Sequence, residues 1–192
     1  EHRFDLGEQF EGRFMPEIYL VDVLALFRRR RGHEVDVLHR VPTPKDVAVG
    51  DPQVHCDVSN VSVVYTCWDV EPKRYGLVYC PMRPSKICVQ TRPHDSKWQR
   101  LYIERKRRDG VKFTEADELA AKRLQTDASA QKSAPTTDAE PRPWSSARSL
   151  TSAFEVAHTP RLSPCGERLA LLATERAAKT HNTTHNLVVC ER

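Results

Sequence analysis

With 192 residues, 39% of them hydrophobic and 7% aromatic, the chain has room for one ordinary domain with a modest core and a small appendage. Its net charge of +4 is mild but is concentrated in two short basic runs, which directs attention to acidic partners such as nucleic acid. The longest apolar run, Ile18 to Phe27, is broken by Asp22 and falls short of the roughly 18 to 20 residues that span a bilayer. It also lacks the basic start and small-residue cleavage site of a signal peptide.

In chain order, residues 1–15 mix Glu and Arg with Phe4, Leu6, Phe10 and Phe14, and Gly7 and Gly12 argue against a stable helix. This is an arm whose aromatics need a partner surface. Pro16 and Glu17 predict a helix through Phe27, with Leu20, Val23, Leu24 and Phe27 on one face. Arg28 to Arg31 complement its C-terminal dipole, and Gly32 is a plausible stop.

From Glu34 to Glu104 the period shortens. Val35, Val37 and Val41 alternate with polar residues, and Val54 to Trp68 is rich in branched and aromatic side chains. Arg74–Cys80, Lys86–Thr91 and Lys97–Glu104 read as three more strands, with Pro72, Pro81, Pro84 and Pro93 in the gaps. Arg105 to Gly110 then makes a charged turn. Thr114 and Asp117 form a capping pattern for a short helix to about Leu124. Gln125 to Ser149 holds only alanines and Trp144 as apolar residues, among many Ser, Thr and Pro. Such a stretch cannot offset its ordering entropy alone and is expected to be held by partners. Ser163 and Pro164 predict a final helix with Leu169, Leu172 and Ala173 buried, and Leu187–Cys190 a last strand.

These elements predict an α+β fold: a small antiparallel β-sheet or open barrel with flanking helices and long extended segments. The expected divisions are an arm and helix (1–33), a β-rich core with a short helix (34–124), an extended linker (125–162) and a C-terminal helix and tail (163–192).

The strongest chemical candidate is Lys97 to Arg108, with six Lys or Arg against Glu104 alone. On a strand, Trp98, Arg100 and Tyr102 would share one face, where aromatics stack on unpaired bases and arginine binds phosphate. Arg105, Lys106, Arg107 and Arg108 would extend the positive surface. The competing reading makes Trp98 and Tyr102 core and the charges a solvated turn. Arg28, Arg29, Arg30 and Arg31 form the second run, suited to phosphate as well as to the helix dipole.

Six cysteines (56, 67, 80, 88, 165 and 190) allow three disulfides in fifteen pairings. The sequons Asn60-Val61-Ser62 and Asn182-Thr183-Thr184 point the same way, toward a secreted protein. At about 3% of the chain, however, cysteine is below disulfide-scaffold density, and free thiols are expected. Successive cysteines from Cys56 to Cys88 are too widely spaced for the paired ligands of common zinc sites, so neither metal nor cofactor is expected. The sequence lacks the glycine-rich phosphate loops, the Gly-x-Ser-x-Gly elbow and the His-Glu-x-x-His motif, and no catalytic residue is assigned.

Arginine in excess of lysine, the Ala/Ser/Thr/Pro-rich extension Asp127–Ser149, a small basic β-rich core and Glu1 in place of a starting Met together give the chain a recognisable style. In that style it resembles the lineage-specific accessory proteins of protist mitochondrial ribosomes, such as those of kinetoplastids. The resemblance lies in composition and carries no site residue. It implies a non-catalytic structural subunit in the mitochondrial matrix. Its partners would be rRNA and neighbouring proteins, with no small-molecule substrate and no membrane span. Two other classes remain open: an accessory subunit of a mitochondrial membrane complex, and a secreted, disulfide-linked interaction domain.

Overall fold

The protein is described here by a computed structural model covering residues 16–21, 23, 38–69, 84–94, 96–130, 143–175 and 185–191. The fold is α+β. The elements run β1 (Ile18–Val21), β2 (Leu38–Val41), β3 (Val47–Cys56), β4 (Asn60–Asp69), β5 (Ser85–Pro93), α1 (Ser96–Arg108) and α2 (Glu115–Ala130). They continue with β6 (Arg148–Ser149), β7 (Val156–Leu162), β8 (Arg168–Thr174) and β9 (Asn186–Glu191). β1 and β2 pair antiparallel, from Ile18↔Val41 to Val21↔Leu38. The other seven strands form one mixed sheet in the order β3-β4-β5-β7-β8-β9, with β6 also paired to β5. It is not closed into a barrel.

Local chemistry explains the β3–β4 hairpin. The Asp57 carboxylate accepts from the Ser59 and Asn60 amides at 2.6 and 2.7 Å, an Asx turn that reverses the chain. β4 then runs antiparallel to β5, since the Asp69 amide donates to Pro84 and the His94 amide to Ser59. Among the described residues the parallel pairing is that of β5 with β7, through Ser85↔Val156.

The return to β5 is made by the segment predicted to be an extended linker. The Ser145 amide donates to the Thr91 carbonyl at 2.8 Å, Ser149 pairs with Cys88, and the Ile87 amide donates to Thr151 Oγ1 at 2.9 Å. Backbone groups of Ser145 and Ser149 and the Thr151 hydroxyl thus supply partners for the side of β5 away from β4, which the low hydrophobicity of this segment alone does not reveal.

Two units divide the chain. One holds the described residues up to Gln53, those of Val63–Val89 and those of Ser146–Arg192; the other holds Val54–Ser62 and the described residues of Gln90–Ser145. The core of the first unit gathers Val64, Ile87, Val89, Ala157, Leu169, Leu171 and Ala173, with Leu150, Phe154 and Val188 packed against them. Each fully buried Leu, Ile or Val contributes about 1.5–3 kcal/mol relative to exposure. β4 is buried on both faces from Val61 to Trp68, which is why its sequence is a near-continuous apolar run. A Cβ on Gly50 would lie 2.9 Å from the Trp68 ring, so glycine leaves the room on β3 that the indole occupies. The smaller core of the second unit packs Val58 against Ile103, Ala120 and Leu124, with Tyr102 and Phe113 at its margin.

Several sequence expectations are corrected. The helix expected from Pro16 begins instead as strand β1, where Ile18 is buried against the antiparallel partner β2; Asp22 and residues 24–37 lie outside the described residues. The helix expected after Ser163 is the β7–β8 hairpin. Ser163 Oγ accepts from the Arg168 amide across the turn rather than capping a helix, and Gly166 takes a φ of 77°. Leu and Ala favour helix, but pairing on both sides of β8 outweighs a propensity of a few tenths of a kcal/mol per residue. The expected strand Lys97–Glu104 is helix α1, and α2 runs past Leu124 to Ala130. The aromatic arm of residues 1–15 and the strand Arg74–Cys80 lie outside the described residues.

Candidate nucleic-acid interface

Helix α1 carries the main basic run. Lys106, Tyr102 and Ile103 turn toward α2, leaving Arg100, Glu104, Arg107 and Arg108 on the outer side. Helical geometry therefore replaces the strand geometry expected from the sequence. Trp98 and Tyr102, one turn apart, are neighbours, while Arg100 lies on the far side. Trp98 shares its stripe with Arg105, seven residues on. The alternation in Trp98–Glu104 misled because a short window fits both periods. The signal that favours helix was present in the four basic residues of the last turn, followed by Gly110 at φ 65°.

The candidate residues separate into two groups. Lys106 donates to the Asp117 carboxylate at 2.6 Å, and its ammonium sits 5.2 Å from the Tyr102 ring centroid. Asp117, buried at the start of α2, also accepts from the Thr114 amide and hydroxyl, each at 2.8 Å. Burial by itself would raise the Asp117 pKa, but the Lys106 and Thr114 bonds outweigh it and hold the carboxyl below its ordinary value. Burial likewise opposes the Lys106 charge, while Asp117 and Tyr102 raise its pKa on balance. Lys106 and Tyr102 thus join α1 to α2.

The second group is open to solvent. Arg105 and Arg108 side chains are 76% and 77% exposed, with only long ion pairs of 3.4 and 3.5 Å to Asp109. Exposed pairs of this kind contribute little, so both guanidinium groups remain available to an anion. Arg100 is exposed, and Arg107 lies 5.9 Å above the Phe113 ring. Trp98 is 37% exposed and stacks on His94 at 6.0 Å between ring centroids and 23° between planes. Lys97 enters α1 through its backbone, and its side chain, like Arg28, Arg29, Arg30 and Arg31, lies outside the described residues.

A further aromatic–cation pair was not legible in the sequence. At the end of β5 the Arg92 guanidinium lies 5.3 Å above the Trp144 ring. Thr91 and Ser145 hold that ring in place through three hydrogen bonds of 2.8 to 3.4 Å. Their separation in sequence hid the pairing, since no local period connects Trp144 to β5.

Other chemistry-bearing groups sit elsewhere. Cys56, Cys67, Cys88, Cys165 and Cys190 are unbridged, and Cys80 lies outside the described residues. Cys67 and Cys88 are buried, while Cys56 and Cys165 are exposed. A hydrogen bond with Cys88, reinforced by burial, pushes the Cys67 thiol up. His158 and His185 meet edge to face at 4.7 Å, beside a bulge where Thr159 takes a φ of 56°. Among the described residues no three His, Cys, Asp or Glu side chains gather as a metal site would require, and no helix is long and apolar enough to cross a membrane. No protein-family model, curated protein or solved structure matches the chain.

Proposed function

We propose that the chain is a non-catalytic structural subunit of a large ribonucleoprotein, contacting RNA through α1 and neighbouring proteins through its extended segments. The observation that carries this reading is the outer face of α1. Three arginines, Arg100, Arg107 and Arg108, stand there against Glu104, and Arg105 adjoins Arg108 on the flank that carries Trp98. Arginine pairs with phosphate in a bidentate fork and also stacks on bases, so this combination suits RNA better than a diffuse acidic surface. Leu187 and Val189 are exposed on β9, an edge among the described strands, and suit a protein neighbour. Its compositional style makes a mitochondrial ribosome in the matrix the most concrete assembly.

Binding of the full chain to RNA over a salt series tests the reading. Each phosphate contact releases counterions, so affinity should fall steeply with salt. Replacing Arg100, Arg105, Arg107 and Arg108 by glutamine should lower the log–log salt slope by about 3, at roughly 0.7 per single-strand contact. Unchanged affinity and slope, with the fold intact, would remove α1 as the interface. Equal affinity for polyglutamate would favour an acidic protein partner instead.

A further inference from the structure

We infer that the RNA recognised here is single-stranded, and that Trp98 with His94 and Trp144 with Arg92 form two stacking positions for its bases. This rests on the RNA reading of α1 and goes beyond it by naming the form of RNA and three further residues.

Both positions are built on one stretch of chain. Arg92 closes β5, and His94 continues its ladder, since the His94 amide donates to the Ser59 carbonyl at 2.7 Å. The two residues are two apart along the chain, about 7 Å on extended backbone. Each meets an indole: Arg92 at 5.3 Å from Trp144, His94 at 6.0 Å from Trp98. Neither tryptophan is buried, whereas Trp68, the third, is enclosed. Bases inside a duplex are already stacked on each other and cannot take such places. Stacking of bases on an indole is sequence-tolerant, since every base presents a π-face. The expected preference is therefore for strand form rather than for sequence. Backbone phosphates of the same strand would meet Arg105, which shares the Trp98 stripe of α1.

The test uses the full chain with a single-stranded oligouridylate of about 12 nucleotides and an RNA duplex of the same length. The single strand should bind at least about 10-fold more tightly, and its binding should quench tryptophan fluorescence by stacking. Trp144→Ala should weaken single-strand binding about 5- to 150-fold and leave duplex binding unchanged. Trp98→Ala should do the same; if it unfolds the second unit, Trp144→Ala and the quenching of the unaltered chain carry the test. Equal affinity for both RNAs, with no quenching and no effect of Trp144→Ala, overturns the stacking positions while leaving α1 as an RNA surface. Binding to neither RNA overturns both readings.

Discussion

Asp117 shows most directly how one side chain serves structure beside a charged surface. Its carboxylate completes the capping pattern with Thr114 and holds Lys106, so the same residue starts α2 and ties it to α1. Because its folded pKa lies below the unfolded value of about 3.9, its stabilisation is complete above that value and is lost as pH falls through the folded pKa. Asp117→Asn should cost about 1.5–3 kcal/mol at neutral pH. Thermal melts of the two proteins should converge as the pH falls through the folded pKa of Asp117. A cost that persists unchanged at low pH would mean that the asparagine disturbs packing rather than charge.

At the scale of elements, the connection between α1 and α2 decides where the arginines stand. Gly110 takes a φ of 65°, and its amide donates to the Arg107 carbonyl, closing the end of α1. A Cβ at Gly110 would meet nothing within 4 Å, so the cost of a side chain there is conformational alone. Gly110→Ala should destabilise the protein by about 1–2 kcal/mol in urea unfolding, and Gly110→Asn by less, since asparagine tolerates this region. If alanine and asparagine behave alike, the turn is not held in its left-handed conformation. The β7–β8 bulge is a second such place: the register shifts between His158 and Arg161, and Thr159 adopts a conformation rare for a β-branched residue.

For the whole molecule, acid stability links segments far apart in sequence. His158 on β7 faces His185 just before β9, and Asp51 of β3 also acts on it. Burial, with His185 adding to it, holds the His158 pKa below its ordinary value despite the opposing pull of Asp51. The unfolded chain therefore takes up this proton first. Stability is insensitive to His158 above about pH 6.5 and is lost as pH falls from there toward the folded pKa. His158→Asn should flatten the fall in melting temperature across that interval. An unaltered profile would assign acid sensitivity to other groups.

The sequence by itself determined the class of fold and the location of the charge. Branched residues in β3, β4 and β5, the Thr114–Asp117 cap and the basic run at Lys97–Arg108 are local signals, each complete within about ten residues. Only the tertiary structure decided which of those charges remain available, because Lys106 is engaged by Asp117 eleven residues away while Arg105 and Arg108 are left exposed. It also turned Leu169–Ala173 from an expected helix into β8, since two neighbouring strands supply hydrogen bonds that local propensity does not count. Trp144 was visible only as an isolated aromatic in a polar stretch. Its place over Arg92 depends on Ser145 returning to pair with Thr91, 54 residues earlier, and no local rule reaches that far.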